Sequence, residues 1–137
     1  MLVNSRRPPF RFRLDLHSGV PVYRQIIDQV RGGIASGSLG LGDQLPTVRQ
    51  LAVDLSINPN TVARAYRELE LGDVLETHQG TGTFISAQKI RGGNEERSRQ
   101  LAQIVADSVA RAGAIGFRVE DLVEQLRELV VEPSRRR

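Results

Sequence analysis

The stretch Thr47-Val48-Arg49-Gln50-Leu51-Ala52-Val53-Asp54-Leu55-Ser56-Ile57-Asn58-Pro59-Asn60-Thr61-Val62-Ala63-Arg64-Ala65-Tyr66-Arg67-Glu68-Leu69 decides the fold. Thr47 has the side chain that caps a helix, and Gln50 three residues later completes a capping box. Val48, Leu51, Ala52 and Leu55 then recur as the apolar stripe of a short helix running to about Leu55. Ser56-Ile57 turns the chain. Asn58 supplies a second cap and Pro59 occupies the first helical position, where its missing N–H costs nothing. Val62, Ala65, Tyr66 and Leu69 form the inner face of this next helix, and Gly72 ends it. Two short helices joined by a tight turn are therefore expected.

Upstream, Val22, Ile26, Ile27, Val30 and Ile34 mark a helix from Pro21, in its first turn, to about Ser36, with Gly37 as its stop and Gly32-Gly33 as a weakness inside it. Before it, Phe10, Phe12, Leu14 and Leu16 alternate with Arg11, Arg13 and Asp15, the pattern of a short half-buried strand ended by His17-Ser18-Gly19. Gly40 to Pro46 reads as a tight loop. Downstream, Val74–Thr77 and Thr83–Ile85 flank His78-Gln79-Gly80-Thr81-Gly82, a β-hairpin with a glycine-rich tip. Residues 86–96 read as linker around Gly92-Gly93-Asn94. Two more amphipathic helices follow, one marked by Leu101, Ile104, Val105, Val109 and Ala112 and ended by Gly113, the other by Leu122, Val123, Leu126, Leu129 and Val130.

Composition narrows the chemistry. The chain has 137 residues, no cysteine and two histidines, His17 and His78, far apart in sequence. Disulfides, thiolate zinc sites and cysteine nucleophiles are excluded, an imidazole-rich metal site is not expected, and no nucleophile–base constellation stands out. No cofactor, metal or enzymatic activity is expected. No apolar run approaches the roughly 18 residues of a membrane span, and the N-terminus lacks a signal-peptide core, so a cytoplasmic protein is expected. The net charge of +3 is unevenly placed. Residues 1–21 carry +3 through Arg6, Arg7, Arg11 and Arg13, the tail ends in Arg135-Arg136-Arg137, and residues 47–90 sum to −1. Any nucleic-acid role must therefore rest on placement rather than bulk charge.

Three helices followed by a glycine-tipped hairpin describe a winged helix-turn-helix. At about 100° per residue, Val62, Tyr66 and Leu69 cluster on one side of the third helix, while Asn60, Arg64 and Arg67 point the opposite way. Such a helix fits the DNA major groove, where Asn can pair with adenine and Arg with guanine. Blander roles are expected for several neighbours. Arg67 is expected to pair with Glu70, Tyr23 and Tyr66 to belong to the core, His78 to be a wing residue, and Gly80 and Gly82 to serve a tight turn.

The same stretches resemble the GntR family of regulators. Gly42-Asp43-Gln44-Leu45-Pro46-Thr47-Val48-Arg49-Gln50-Leu51-Ala52 is similar to its signature leading into the second helix, Asn58 to Glu70 to its third helix, Gln79-Gly80-Thr81-Gly82-Thr83-Phe84-Ile85 to its wing, and Pro21-Val22-Tyr23-Arg24-Gln25-Ile26 to its first helix. The resemblance covers about residues 14–87. It implies that Arg49 contacts DNA, that Asn58, Asn60 and Thr61 contact bases and phosphates, and that Gln79 and Gly80 reach the minor groove. Many members have arginine where this chain has Pro59 and Ala63, so base readout is expected to lean on Asn60 and Arg64. The Asn-Pro-Asn-Thr-Val form resembles the YtrA-like branch and one fused to an aminotransferase-like domain. About 45 residues after the linker suit the two short helices of the YtrA-like branch.

The expected architecture is mainly α with a small β-wing. A winged helix-turn-helix over residues 10–87 and a linker at 88–96 precede a two-helix dimerisation region at 97–132. Two short amphipathic helices cannot bury their stripes on each other alone, so Leu101, Ile104, Val105, Val109, Leu122, Leu126 and Leu129 are expected to pair with a second copy. The expected function is a sequence-specific transcriptional regulator, acting as a repressor on a palindromic double-stranded DNA operator. Any small-molecule effector would bind at the dimer interface. The alternatives are a winged-helix protein-interaction module and a non-specific architectural DNA binder.

Overall fold

The computed structural model describes residues 10–87 and 92–131; residues 10–87 with Val131 form one unit and residues 92–130 a second. The expectations for Arg6, Arg7, linker residues 88–91, Glu132 and the arginine tail lie outside the described residues.

In the first unit, α1 spans Val22–Ser36. Ile26, Ile27 and Val30 bury its inner stripe, and Gly37 ends it in the left-handed region at φ 89°, its N–H donating to the Ile34 carbonyl. Pro21 is the residue just before the helix rather than part of its first turn. Gly33, expected as a weakness, has a packing reason: a Cβ there would stand 2.9 Å from the Phe10 ring.

The helix pair forms as expected, α2 at Val48–Leu55 and α3 at Pro59–Leu71. Both arms of the Thr47–Gln50 capping box are present at 3.0 Å. The Asn58 Oδ1 accepts from the Asn60 N–H at 2.8 Å and caps α3. Val62, Ala65 and Leu69 are fully buried, and Tyr66 nearly so. The Tyr66 hydroxyl donates to the Pro46 carbonyl at 2.7 Å, tying the middle of α3 to the entry of α2. Burial pushes its pKa well above the ordinary phenol value, which keeps it a neutral donor.

The hairpin is β2, Leu75–His78, and β3, Gly82–Ile85. A further strand appears where only a loop was expected: Gln44–Leu45, here β1, pairs antiparallel with β3, giving a three-stranded sheet in the order β1-β3-β2. Two residues are too few to show a periodicity, and the pairing partner lies far away in sequence. Leu45, Leu75 and Ile85 bring the sheet into the core with α1, α2 and α3, joined by Val74 just before β2.

The segment from Phe10 to Leu16 is not a strand. Its alternation correctly separates half-buried Phe10, Phe12 and Leu14 from exposed Arg11 and Arg13, although Leu16 is exposed too. The two rings meet edge-to-face, centroids 4.8 Å apart. Its partners are glutamine side chains of α1 instead of another strand. The Gln25 Oε1 accepts from the Asp15 N–H at 2.8 Å, and the Gln25 Nε2 donates back to the Asp15 carbonyl at 2.9 Å. Gln29 does the same at Arg13. One helical turn apart, the two amides mimic a strand edge.

In the second unit, α4 spans Asn94–Ala114 and α5 Val119–Leu129, and the two pack on each other. Residues 94–96, expected in the linker, are the first turn of α4. Glu95 and Glu96 at its start and Arg111 at its end suit the helix dipole, as do Glu120, Asp121 and Arg127 in α5. No residue of either helix is fully buried within this chain.

Candidate nucleic-acid interface

The first turns of α2 and α3 and the wing tip carry the residues expected to meet DNA. Arg49 lies in the first turn of α2, exposed, beside a shallow cavity of about 360 Å³ lined by Pro46, Gln50, Val53 and Asp54. It forms no ion pair with any described residue. The capping box that starts α2 holds the local backbone and leaves the Arg49 side chain outward.

Asn58, Asn60 and Thr61 form the start of α3. Asn58 is exposed, with its oxygen committed to the cap. Its Nδ2 has no hydrogen-bond partner among the described residues and is available to an acceptor. Asn60 is exposed, with neither side-chain atom engaged within the described chain; Thr61 is half-buried and donates its N–H to the Asn58 carbonyl. The unpaired N–H groups of a helix start add a fixed positive end to this corner.

Arg64 follows Asn60 by one turn, on the same side of α3. It does not reach freely into solvent: its Cζ lies 3.7 Å from the centroid of the Tyr23 ring, and its Nε lies 3.8 Å from the Glu68 Oε1. Tyr23 was expected as a core residue only. It is half-buried and packs against the core, yet also serves as a stacking platform. Arg67 is exposed and does not pair with Glu70, which accepts a hydrogen bond from the Thr77 hydroxyl of β2. The hairpin brings Thr77 within reach of α3, a competition the helix alone does not reveal.

At the wing, Gln79 and Gly80 are exposed. Gly80 holds φ 80° and Thr81 donates its N–H to the His78 carbonyl at 2.9 Å, closing the turn. Gln44 of β1 braces the tip by donating from Nε2 to the Thr81 carbonyl at 3.2 Å. A Cβ on Gly82 would stand 2.4 Å from that Nε2, so this brace needs the glycine. Sequence reasoning missed Gln44 because its role requires a strand pairing that only the fold creates. His78 pairs with Glu76 at 3.1 Å and leans on Phe84, as a wing residue does. Among the described residues no three metal-ligating side chains gather, and no helix is long and apolar enough to cross a membrane.

In the second unit, Leu101, Ile104 and Val105 are 52–62% exposed, and Leu126 and Leu129 are 60% and 61% exposed. Val109 and Leu122 are half-buried. The helical spacing places each set on one face of its helix.

This arrangement of three helices, a two-stranded wing braced by a third strand, and a polar helix start defines a winged helix-turn-helix of the DNA-binding class. Residues 22–85 match the model of the bacterial regulatory proteins of the gntR family. The chain is 37% identical over 121 residues to the HTH-type transcriptional repressor YtrA of Bacillus subtilis, covering 85% of this chain and 90% of that one. It is 39% identical over 114 residues to the HTH-type transcriptional regulator Rv1152 of Mycobacterium tuberculosis, covering 83% and 89% respectively. Among solved structures it is similar to YtrA from Sulfolobus acidocaldarius, a GntR-family transcription factor, with a TM-score of 0.54 and 31% identity over 72% of this chain and 97% of that one. The chain belongs to the GntR family, on its YtrA-like side, and is a DNA-binding transcriptional regulator rather than an enzyme.

Proposed function

We propose that this protein is a repressor that binds a palindromic DNA operator as a homodimer, with α3 in the major groove and the wing in the minor groove. The observation that carries this reading is the unengaged polar start of α3. Asn60 is exposed with its amide unused, next to the available Nδ2 of Asn58. Arg49 and the backbone at the start of α3 meet phosphates, Asn60 and Arg64 face base edges, and Gln79 and Gly80 enter the minor groove.

The dimer follows from the apolar stripes of α4 and α5. Covering a Val, Leu or Ile side chain contributes about 1.5–3 kcal/mol, and five such chains here, Leu101, Ile104, Val105, Leu126 and Leu129, stand more than half exposed. A twofold pair presents two reading helices to half-sites about 34 Å apart, or a multiple of that, and hence reads a palindrome. An effector, where one acts, would bind between the two copies. DNA as the target places the protein in the cytoplasm. Repression is the role that the name of the Bacillus subtilis relative carries.

Selection of this chain against a random-sequence duplex library tests the reading. The expected result is enrichment of one inverted repeat, bound with steep salt dependence, by a species of twice the chain mass in light scattering. Equal retention of scrambled duplexes at moderate salt would make it a non-specific binder. Absence of any DNA retention would favour a protein-interaction module.

A further inference from the structure

Arg64 and Tyr23 come from different helices and are far apart in sequence, yet they form a built contact. Tyr23 lies in the first turn of α1, half-buried against the core and therefore fixed. The Arg64 guanidinium carbon stands 3.7 Å from the centre of its ring, the distance of face-on contact. Its Nε lies 3.8 Å from the Glu68 carboxylate one turn further along α3. The ring occupies one face of the guanidinium and the carboxylate faces one edge. The two terminal amino groups, the fork that pairs with two acceptor atoms at once, are left for another partner. Arg64 and Glu68 are 58% and 45% exposed, so this fork opens to solvent one turn from Asn60.

We propose that Tyr23 is a positioning residue for DNA recognition, its ring and Glu68 holding Arg64 as a pre-set fork for a pair of acceptor atoms on DNA. This rests on the DNA-binding reading above. A free arginine loses rotamer freedom when it binds; one already laid on a ring loses less, and affinity rises accordingly. On the reading above the acceptor pair is the O6 and N7 of guanine; two phosphate oxygens are the other pair such a fork fits. The first alternative makes Tyr23 a determinant of specificity, the second a determinant of affinity alone.

The test is a double-mutant cycle on the full chain, using the duplex that the wild-type protein enriches from a random library. Tyr23→Leu is expected to weaken binding about threefold to tenfold, and Arg64→Ala more. In the Arg64→Ala background, Tyr23→Leu should then cost nothing further. Tyr23→Phe keeps the ring and should restore binding. Equal losses from Tyr23→Leu with and without Arg64 overturn the proposal. Should Tyr23→Leu fail to fold, Arg64→Lys decides, because lysine keeps the charge and loses the flat fork: binding as weak as Arg64→Ala supports the proposal, and wild-type binding overturns it. Single-base variants of the duplex separate the two acceptors, since a guanine contact loses discrimination at one base pair and a phosphate contact weakens all sequences alike. A wild-type chain that enriches no duplex overturns the DNA reading itself.

Discussion

Asn58 and Asn60 divide the work of one helix start between them. Asn58 spends its oxygen on the Asn60 N–H, which orders the first turn of α3, and Asn60, so held, keeps its own side chain free. On the proposed DNA reading, removing the Asn60 amide is therefore expected to affect recognition more than folding. Asn60→Ala is expected to relax discrimination at one base position by about 1–3 kcal/mol, with the thermal midpoint nearly unchanged. Affinities for a panel of single-base operator variants check this, and unchanged discrimination would remove Asn60 from the reading face. Arg49 differs in kind. Its guanidinium has no partner among the described residues, and it stands beside the capped start of α2. Arg49→Ala should weaken binding to all sequences alike and lower the salt slope by about one.

At the scale of elements, the arm before α1 shows how a period-two pattern can be satisfied without a sheet. Gln25 is only 8% exposed, yet its amide meets the backbone of Asp15 from both sides and donates also to the Val20 carbonyl. Gln25→Leu leaves these groups without their partner and is expected to destabilise the protein by about 1–3 kcal/mol in denaturant melts. Faster hydrogen exchange at the Asp15 amide should accompany it; an unchanged rate would mean the amide pairing does not hold the arm. The alternation that suggested a strand reported faces truthfully, because any extended chain lying on a core alternates. It could not report the partner, because a glutamine side chain and a strand edge offer the same donor and acceptor.

For the molecule as a whole, the second unit leaves its apolar stripes uncovered within one chain. None of its residues is fully buried, with Leu101 and Ile104 at 62% and 61% exposure. Leu101→Glu combined with Ile104→Glu should give a monomer in light scattering and a loss of operator affinity well beyond tenfold. The winged unit should keep its fold, visible as retained helical signal. A dimer that survives both changes would place the contact elsewhere. In the proposed dimer, pairing would act on function through spacing, since one recognition helix reads only one half-site.

Helix boundaries, caps and the hairpin were legible in the sequence because their causes are local. Thr47 and Gln50, Asn58 and Pro59, Gly37 and Gly80 each act within a few residues of themselves. The exposed Arg49, Asn60 and wing tip were legible through motif order. What the chain brings together over long separations was not: β1 against β3, Gln44 against the wing tip, Thr77 on Glu70, and Tyr23 beneath Arg64. Helical geometry places a side chain on a face, but only tertiary packing decides which group waits there. The sequence by itself determined a winged helix-turn-helix and which polar side chains the start of its third helix presents to solvent. The tertiary structure decided how the wing is braced and what holds Arg64 in place, because those contacts arise only where separate elements meet.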